Sequence, residues 1–221
     1  MDSLYVIPIL LFSVVVHEVA HGLMALKLGD PTAKELGRLT LNPIPHIDPL
    51  GSIFVPLISY LAAGSVFIAW AKPVPINPAN FKNYRRDDIL VSIVGPFSNL
   101  IVALLCTIGY ILVVNALGLP EAATEGLERH TVKFLAGMFS VGITLNIFLA
   151  VFNLIPVPPL DGSHVLASLL PQPVGDRYRQ IGFMGIFLII VLMRVDAFRS
   201  VILSIVTTLL VPYRSLISLF A

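Results

Sequence analysis

The chain has 221 residues, of which 57% are hydrophobic and 12% are charged, and its net charge is +1. Soluble domains carry roughly twice that charged fraction, so an ordinary soluble globular protein is excluded. The small net charge gives no basic surface, and we expect no nucleic-acid partner. Most apolar residues fall in continuous runs of membrane-spanning length, which predicts an all-α integral membrane protein rather than a β-barrel.

Six apolar segments predict about six transmembrane helices in one polytopic domain covering residues 1–221. They are Leu4–Leu28, Leu50–Ala71, Ile89–Leu119, Val132–Ile155, Ile181–Met193 and Ala197–Leu210. The first four are long enough to cross the hydrocarbon core at about 1.5 Å per residue. The fifth is short, and it fits either a tilted span or one arm of a hairpin with the next segment. We expect a multi-pass protein of a lipid bilayer.

Two connections have distinctive sequences. The stretch from Gly29 to Pro49 is rich in Gly, Pro, Asp and Thr, and we predict a short membrane-associated strand or hairpin around Leu36–Leu41. The stretch from Lys72 to Arg86 contains Pro73, Pro75 and Pro78, which exclude a helix over that part.

Neither the N-terminus nor the basic residues orient the chain. The apolar start has no basic segment before it and no small-residue cleavage site after it, so we expect a mature helix rather than a signal peptide. If six spans alternate, the 14 Lys and Arg residues divide evenly between the two sides. The positive-inside rule then gives no bias.

The strongest motif is His17-Glu18-Val19-Ala20-His21 in the first segment. Residues four apart share a helix face, so the two imidazoles can bind one zinc ion at about 2.0–2.1 Å. Glu18 is placed to act as general base on a water molecule, as in metalloproteases. The alternative is an interhelical hydrogen-bond cluster. Ionisable groups at membrane depth usually have a functional role, which favours the metal site.

Two histidines leave a catalytic zinc one protein ligand short. Asp161 follows the fourth apolar segment directly, after a helix break that Pro156, Pro158 and Pro159 impose. Irregular backbone at membrane depth occurs where it is buried in protein or lines a wet cavity. Asp161 is therefore the candidate third ligand, and an Asp-Gly turn at the membrane surface is its alternative interpretation.

Two asparagines occupy one face of the fourth segment. Asn153 lies near the helix break, and its amide is a candidate donor to the oxyanion of a tetrahedral intermediate. For Asn146 we expect an interhelical hydrogen bond, which is the ordinary role of Asn in membranes.

Five motifs resemble, in the same order, those of the site-2 protease family of intramembrane zinc metalloproteases. They are HEVAH at 17–21, NPIPHIDPLG at 42–51, WAKPVPINP at 70–78, GPFSN at 95–99 and NLIPVPPLDG at 153–162. The resemblance is closest to the compact subgroup without PDZ or CBS domains. It implies one Zn²⁺ per chain at His17, His21 and Asp161, with Glu18 as catalytic base.

The resemblance also implies that Asn153 helps to bind the substrate or its oxyanion. The expected substrate is a transmembrane helix of another protein, cut by a zinc-activated water in a prokaryotic cell membrane. Extended segments at Leu36–Leu41 and Lys72–Asn77 suggest that the substrate is held by strand addition.

Other readings remain open. A metal transporter would need ligands along a pathway, whereas these converge on one point. A catalytically silent binder of transmembrane helices would be expected to lose Glu18. The sequence gives no firm role to His46, Asp48 or His164, and it does not define the substrate, the orientation or the oligomeric state.

Overall fold

The computed structural model describes residues 3–54, Ile58, Leu61, residues 71–117 and residues 127–220. Within these ranges the chain is helical, and no strand occurs. The helices are α1 Ser3–Lys27, α2 Thr32–Glu35, α3 Tyr84–Leu117, α4 Leu127–Asn153, α5 Asp161–Leu169, α6 Gln172–Arg179, α7 Gly185–Leu192 and α8 Asp196–Phe220. Short 3₁₀ turns occupy Ile44–His46, Pro78–Asn80 and Gly182–Met184, and a π-helical turn occupies Pro49–Phe54.

Four described helices are long and apolar enough to cross a membrane: Val6–Lys27, Tyr84–Ala116, His130–Asn153 and Asp196–Phe220. They match the first, third, fourth and sixth predicted segments, and the last extends well beyond the predicted end at Leu210. The fifth segment forms the shorter apolar helix Gly182–Leu192. Most of the second segment, Leu50–Ala71, lies outside the described residues.

Helices α1 and α4 both run antiparallel to α3. His21 contacts Val91 while His17 contacts Asn99, so rising numbers on α1 meet falling numbers on α3. Helix α8 runs parallel to α3, because Tyr213 donates a hydrogen bond to the Leu100 carbonyl at 3.2 Å and Asn115 donates one to the Phe220 carbonyl at 2.7 Å.

The apolar core lies between these four helices. It contains Ile9 of α1, Ala103 of α3, Ile147 of α4 and Val206 of α8, all nearly inaccessible to solvent. Many large apolar side chains point outward instead, as expected where lipid covers the surface.

The connections on either side of the undescribed stretch meet at one end of the bundle, which we call the loop face. Buried Arg38 donates to the carbonyls of Lys72 and Pro73 at 2.9 and 3.2 Å. The Lys72 amide donates to the His46 carbonyl at 2.9 Å. Residues 46 and 72 are therefore neighbours at the loop face.

The strand or hairpin predicted around Leu36–Leu41 is not confirmed. The Gly37 backbone takes φ +65°, which ends helix α2 in a turn. The Arg38 amide bonds to the Ala33 carbonyl at 2.8 Å, and the Thr40 carbonyl accepts from the His46 ring at 3.0 Å. Turn and side-chain hydrogen bonds therefore replace the ladder that a strand would need.

Candidate metal centre and catalytic site

The two histidines of the HEVAH motif face the same point midway along α1. Both are buried, at 7% exposure each, and their Nε2 atoms lie 3.0 Å apart. His17 begins about 16 Å from the start of the span at Val6, given 1.5 Å per helical residue. The pair therefore lies near the middle of a helix that is long and apolar enough to cross a membrane.

Helix α3 fixes the orientation and tautomer of both imidazoles. His17 Nδ1–H donates to Asn99 Oδ1 at 2.8 Å, and His21 Nδ1–H donates to the Val91 carbonyl at 2.7 Å. Because both acceptors take a proton from Nδ1, each neutral ring keeps a lone pair on Nε2. A metal-binding histidine is typically held in this way by a hydrogen bond on its other nitrogen.

Asp161 completes the cluster from the other end of the chain. It is the first residue of α5, and its Oδ2 and Oδ1 lie 3.1 Å from His17 Nε2 and 3.3 Å from His21 Nε2. Gly162 permits this approach, since a Cβ there would collide with the backbone of Leu154 and Ile155. Among the described residues, these three side chains form the one group of His, Cys, Asp or Glu suited to holding a metal ion.

The geometry fits a tetrahedral zinc ion. Zinc bonds of about 2.0–2.1 Å place tetrahedral ligands about 3.3 Å from one another, close to the three separations found here. The buried Asp161 Oδ2 has no hydrogen-bond partner. Two nitrogen lone pairs facing a carboxylate in a buried space are mutually repulsive unless a cation lies between them.

Because Gly95 has no side chain, the two imidazole rings can pack directly against the backbone of α3. A Cβ built on Gly95 would lie 2.8 Å from His17 Cε1 and closer still to the His21 ring. Any larger residue would push α1 and α3 apart at the level of the cluster. The glycine is thus required by close approach and not by backbone conformation.

Glu18 follows His17 in α1, and its side chain is half-buried. Its Oε2 accepts a hydrogen bond from the Val74 amide at 2.7 Å. Val74 is buried and belongs to the proline-rich segment from Lys72 to Asn77, which we call the strap.

The strap is tied to the loop after α1 at both ends. Arg38 holds its beginning through the two carbonyls described above, and buried Asp30 accepts from the Asn77 amide and the Asn80 side chain, both at 2.7 Å. Burial alone would raise the pKa of Asp30, but hydrogen bonds from Thr32, Asn77 and Asn80 outweigh it and lower that pKa. Asp30 is therefore a firmly ionised anchor.

These contacts remove support for strand addition by the strap. The amides of Lys72, Val74 and Asn77 already donate within the protein. Pro73 and Pro75 have no amide hydrogen, and Arg38 uses two of the carbonyls. Few backbone groups are left to pair with an extended substrate.

Asn153 ends α4, and its side chain donates to the Leu149 carbonyl of its own helix at 3.1 Å. The structure therefore brings His17, His21 and Asp161 together, and Glu18 adjoins His17 in α1, but Asn153 makes no recorded contact with the cluster. Asn146 makes the expected interhelical hydrogen bond, donating to Ser13 at 2.8 Å.

The three other polar candidates lie outside the cluster. His46 is buried and bonded to Thr40, while Asp48 accepts from the amides of Leu50 and Gly51 at 2.9 and 2.7 Å. His164 is about half exposed and lies 3.7 Å from Asp88. Local hydrogen bonding accounts for the loop that contains His46 and Asp48.

Sequence reasoning did not assign Asn99 a role. Its side chain is 1% exposed and orients His17 from across the bundle. The available signal was an amide four residues after a glycine within a long apolar segment, in the GPFSN motif. An isolated Asn in a membrane helix fits any interhelical bond equally well, so only packing identifies its partner.

Known proteins share this arrangement of motifs. Residues 5–193 match the profile of Peptidase family M50. The chain is 42% identical over 192 residues to "Putative zinc metalloprotease YwhC" of Bacillus subtilis, covering 85% of this chain and 79% of the relative. It is 28% identical over 183 residues to "Putative zinc metalloprotease Rip2" of Mycolicibacterium smegmatis, covering 83% of this chain and 64% of the relative.

A second Rip2, from Mycobacterium tuberculosis, is 30% identical over 154 residues, which cover 69% of this chain and 52% of that relative. The chain thus spans between half and two thirds of the mycobacterial relatives. No solved structure matches it. The match over 5–193 confirms the resemblance drawn from the five motifs, and the chain belongs to Peptidase family M50, the site-2 protease family.

Proposed function

We propose that this protein is a zinc metalloprotease that hydrolyses peptide bonds within or near transmembrane helices of other membrane proteins. Family membership supports the zinc metalloprotease activity. The observation that carries the proposal is the convergence of His17, His21 and Asp161 inside the bundle, with the Glu18 carboxylate next to them.

The residues divide the chemistry among them. His17, His21 and Asp161 would hold Zn²⁺, which as a Lewis acid brings the pKa of a water molecule towards neutrality. Glu18 Oε1 takes a proton from the attacking water and returns it to the leaving amine. The Val74 amide holds Glu18 Oε2 and so restrains the carboxylate. Asn153 is proposed as the oxyanion donor, after rotation away from Leu149.

The depth of the site supports a membrane-embedded substrate. The cluster lies near the middle of a helix of membrane-spanning length, flanked by α3 and α5. A peptide bond carried by another protein reaches that depth when its own segment is in the bilayer. The transmembrane segment must then unwind locally, because a helix hides its carbonyls in hydrogen bonds.

The basic residues now orient the bundle. The loop face, together with the adjoining ends of α6 and α8, carries eleven of the 14 Lys and Arg residues of the chain, and the opposite half carries Arg129, Lys133 and Arg214. Positive residues favour the cytoplasm, so we place the loop face and the strap there. The even division expected from the sequence assumed six alternating spans.

Labelling would test this orientation. The native Cys106 is buried, so cysteines introduced at exposed Lys82 and Lys133 can be probed separately in intact cells. A membrane-impermeant thiol reagent should label the cysteine at 133 and spare the one at 82. The reverse pattern would place the strap outside the cell.

The activity is tested by zinc content and cleavage together. Purified wild-type protein should carry about one zinc per chain and cut a transmembrane reporter in proteoliposomes. Asp161→Ala should lose the metal, whereas Glu18→Gln should keep the metal and lose cleavage about 10²–10⁴-fold. Cleavage by metal-loaded Glu18→Gln at the wild-type rate would contradict the role of Glu18, and a zinc-free, folded wild type would contradict the site.

A further inference from the structure

A buried ionic cluster joins α3, α5 and α6 away from the proposed reacting groups. Asp88, one turn into α3, is 7% exposed. Its Oδ2 accepts from Ser168 Oγ at 2.6 Å and from the Arg179 guanidinium at 2.9 Å. Arg179 also donates to Ser168 Oγ at 2.7 Å, which closes a three-membered cluster. None of the three side chains takes part in the chemistry proposed above.

The cluster holds the far end of the helix that begins with Asp161. Helix α5 has nine residues, so Ser168 lies about 10 Å along a rigid rod from Asp161. On the other side of Asp161, the chain from Leu154 to Leu160 is irregular, and no side chain caps the helix at Leu160. The firm polar attachment of α5 is therefore at its C-terminal end.

The same face of α3 also holds the two histidines. Asp88, Val91, Gly95 and Asn99 follow at intervals of three or four residues, which places them on one helix face. Val91 and Asn99 orient His21 and His17, and Gly95 makes room for both rings. Asp88 holds α5, the helix that begins with Asp161. One face of α3 therefore helps to position His17, His21 and Asp161.

We propose that Asp88 is a positioning residue that, through Ser168 and Arg179, sets the register of α5 and so places Asp161 against His17 and His21. His164, which also lies on α5, faces Asp88 at 3.7 Å with a half-exposed ring and is a further contact between the two helices. The inference rests on the proposed function, because it concerns the placement of a zinc ligand.

The test measures metal geometry as well as activity. Cobalt(II) substituted for zinc has a visible spectrum that depends on ligand number and arrangement. Asp88→Ala and Ser168→Ala should alter this spectrum and weaken zinc binding about 10–100-fold in a chelator competition. Asp88→Glu should restore part of the affinity, because a carboxylate can still reach Ser168 and Arg179.

Asp176→Ala is the matched control. Asp176 is an exposed carboxylate 3.5 Å from the same Arg179, but it has no link to α5. This variant should keep the wild-type spectrum and zinc affinity. Since Asp88→Ala removes a buried charge and can unfold the chain, Ser168→Ala provides the milder variant, with helical content checked by circular dichroism.

Folded Ser168→Ala and Asp88→Glu variants with wild-type cobalt spectra and zinc affinities would overturn the positioning role while leaving the proposed function intact. A folded wild type that binds neither zinc nor cobalt would overturn both. Loss of metal affinity equal in Asp176→Ala and Ser168→Ala would assign the effect to Arg179 alone and would also overturn the role of Asp88.

Discussion

The two halves of the helix bundle are packed by different chemistry. Towards the end of the bundle opposite the loop face, which we call the far face, α3 and α4 meet through apolar contacts, with Gly109 lying against Phe139 and Gly142 against Cys106. Towards the loop face, buried polar groups such as His17, Asp88 and Asn99 join α3 to α1, α5 and α6. Buried polar groups destabilise a protein unless each has a hydrogen-bond or ionic partner. The interior of the loop-face half therefore forms a polar site, whereas the interior of the far half stabilises the fold.

The largest contrast is expected between two glycines of α3. Gly95→Ala drives a methyl group into both imidazoles and should weaken zinc binding about 100-fold or more, with a parallel loss of cleavage. Gly109→Ala meets only the Phe139 ring and should lower the free energy of unfolding by about 1–3 kcal/mol while zinc affinity stays unchanged. Chelator competition for zinc and chemical denaturation of both variants measure the two effects. Equal zinc affinities in the two variants would contradict the predicted difference.

Two fully buried asparagines provide the next comparison. Asn99→Ala leaves His17 Nδ1 without its acceptor and should weaken zinc binding about 10–100-fold. Asn146→Ala breaks the bond to Ser13, which lies one turn before His17 in α1, and should reduce stability by about 1–3 kcal/mol with metal affinity retained. Isothermal titration with zinc separates the two outcomes. A similar loss of affinity in Asn146→Ala would mean that metal binding reports general packing.

A smaller effect is expected where the strap meets the catalytic base. Arg38→Ala frees the carbonyls of Lys72 and Pro73, so the strap loosens and Val74 holds Glu18 less firmly. We expect kcat to fall about tenfold with zinc content unchanged, because the base is less well positioned. Lys34→Ala, at an exposed position of the same loop, is the control. An unchanged kcat in Arg38→Ala would remove the strap from catalysis.

The smallest effect concerns pH. The pKa of Asp30 is lower in the folded protein than its usual value of about 3.9. Its stabilisation is therefore fully present above pH 4 and is lost as the pH falls through the lower folded pKa. Melting temperatures of wild type and Asp30→Asn should differ at pH 6, and the difference should shrink as the pH falls from 4 through the folded pKa of Asp30. A difference that persists in acid would show that ionisation of Asp30 is not what holds the strap.

Local spacing explains how much of the site the sequence could predict. His17, Glu18 and His21 are close in sequence, so helical geometry alone puts them together. Asp161 could be proposed because a run of prolines must interrupt an apolar segment. Asn99, Val91 and Gly95 act across the bundle, and their roles depend on the pairing of α1 with α3, which no local pattern contains.

For the fold too, the sequence predicted local features but not the contacts between distant segments. Four of the expected segments are helices of spanning length, because apolar length alone determines that property. The contact between residues 46 and 72 was not foreseen, since composition cannot show which loops of a chain meet. The strand predicted around residues 36–41 is not confirmed, because the backbone hydrogen bonds there are made by a turn and by side chains.

The division of the ligands between α1 and α5 links metal occupancy to assembly of the bundle. Because the cluster forms only when both helices are docked on α3, any cation that binds there favours the docked state by mass action. At a free zinc concentration a hundredfold above Kd, the docked state gains about 2.7 kcal/mol. The reactive centre would then exist only after the first helix and the later segment around Asp161 have both packed against α3, so a partly assembled chain would have no complete metal site.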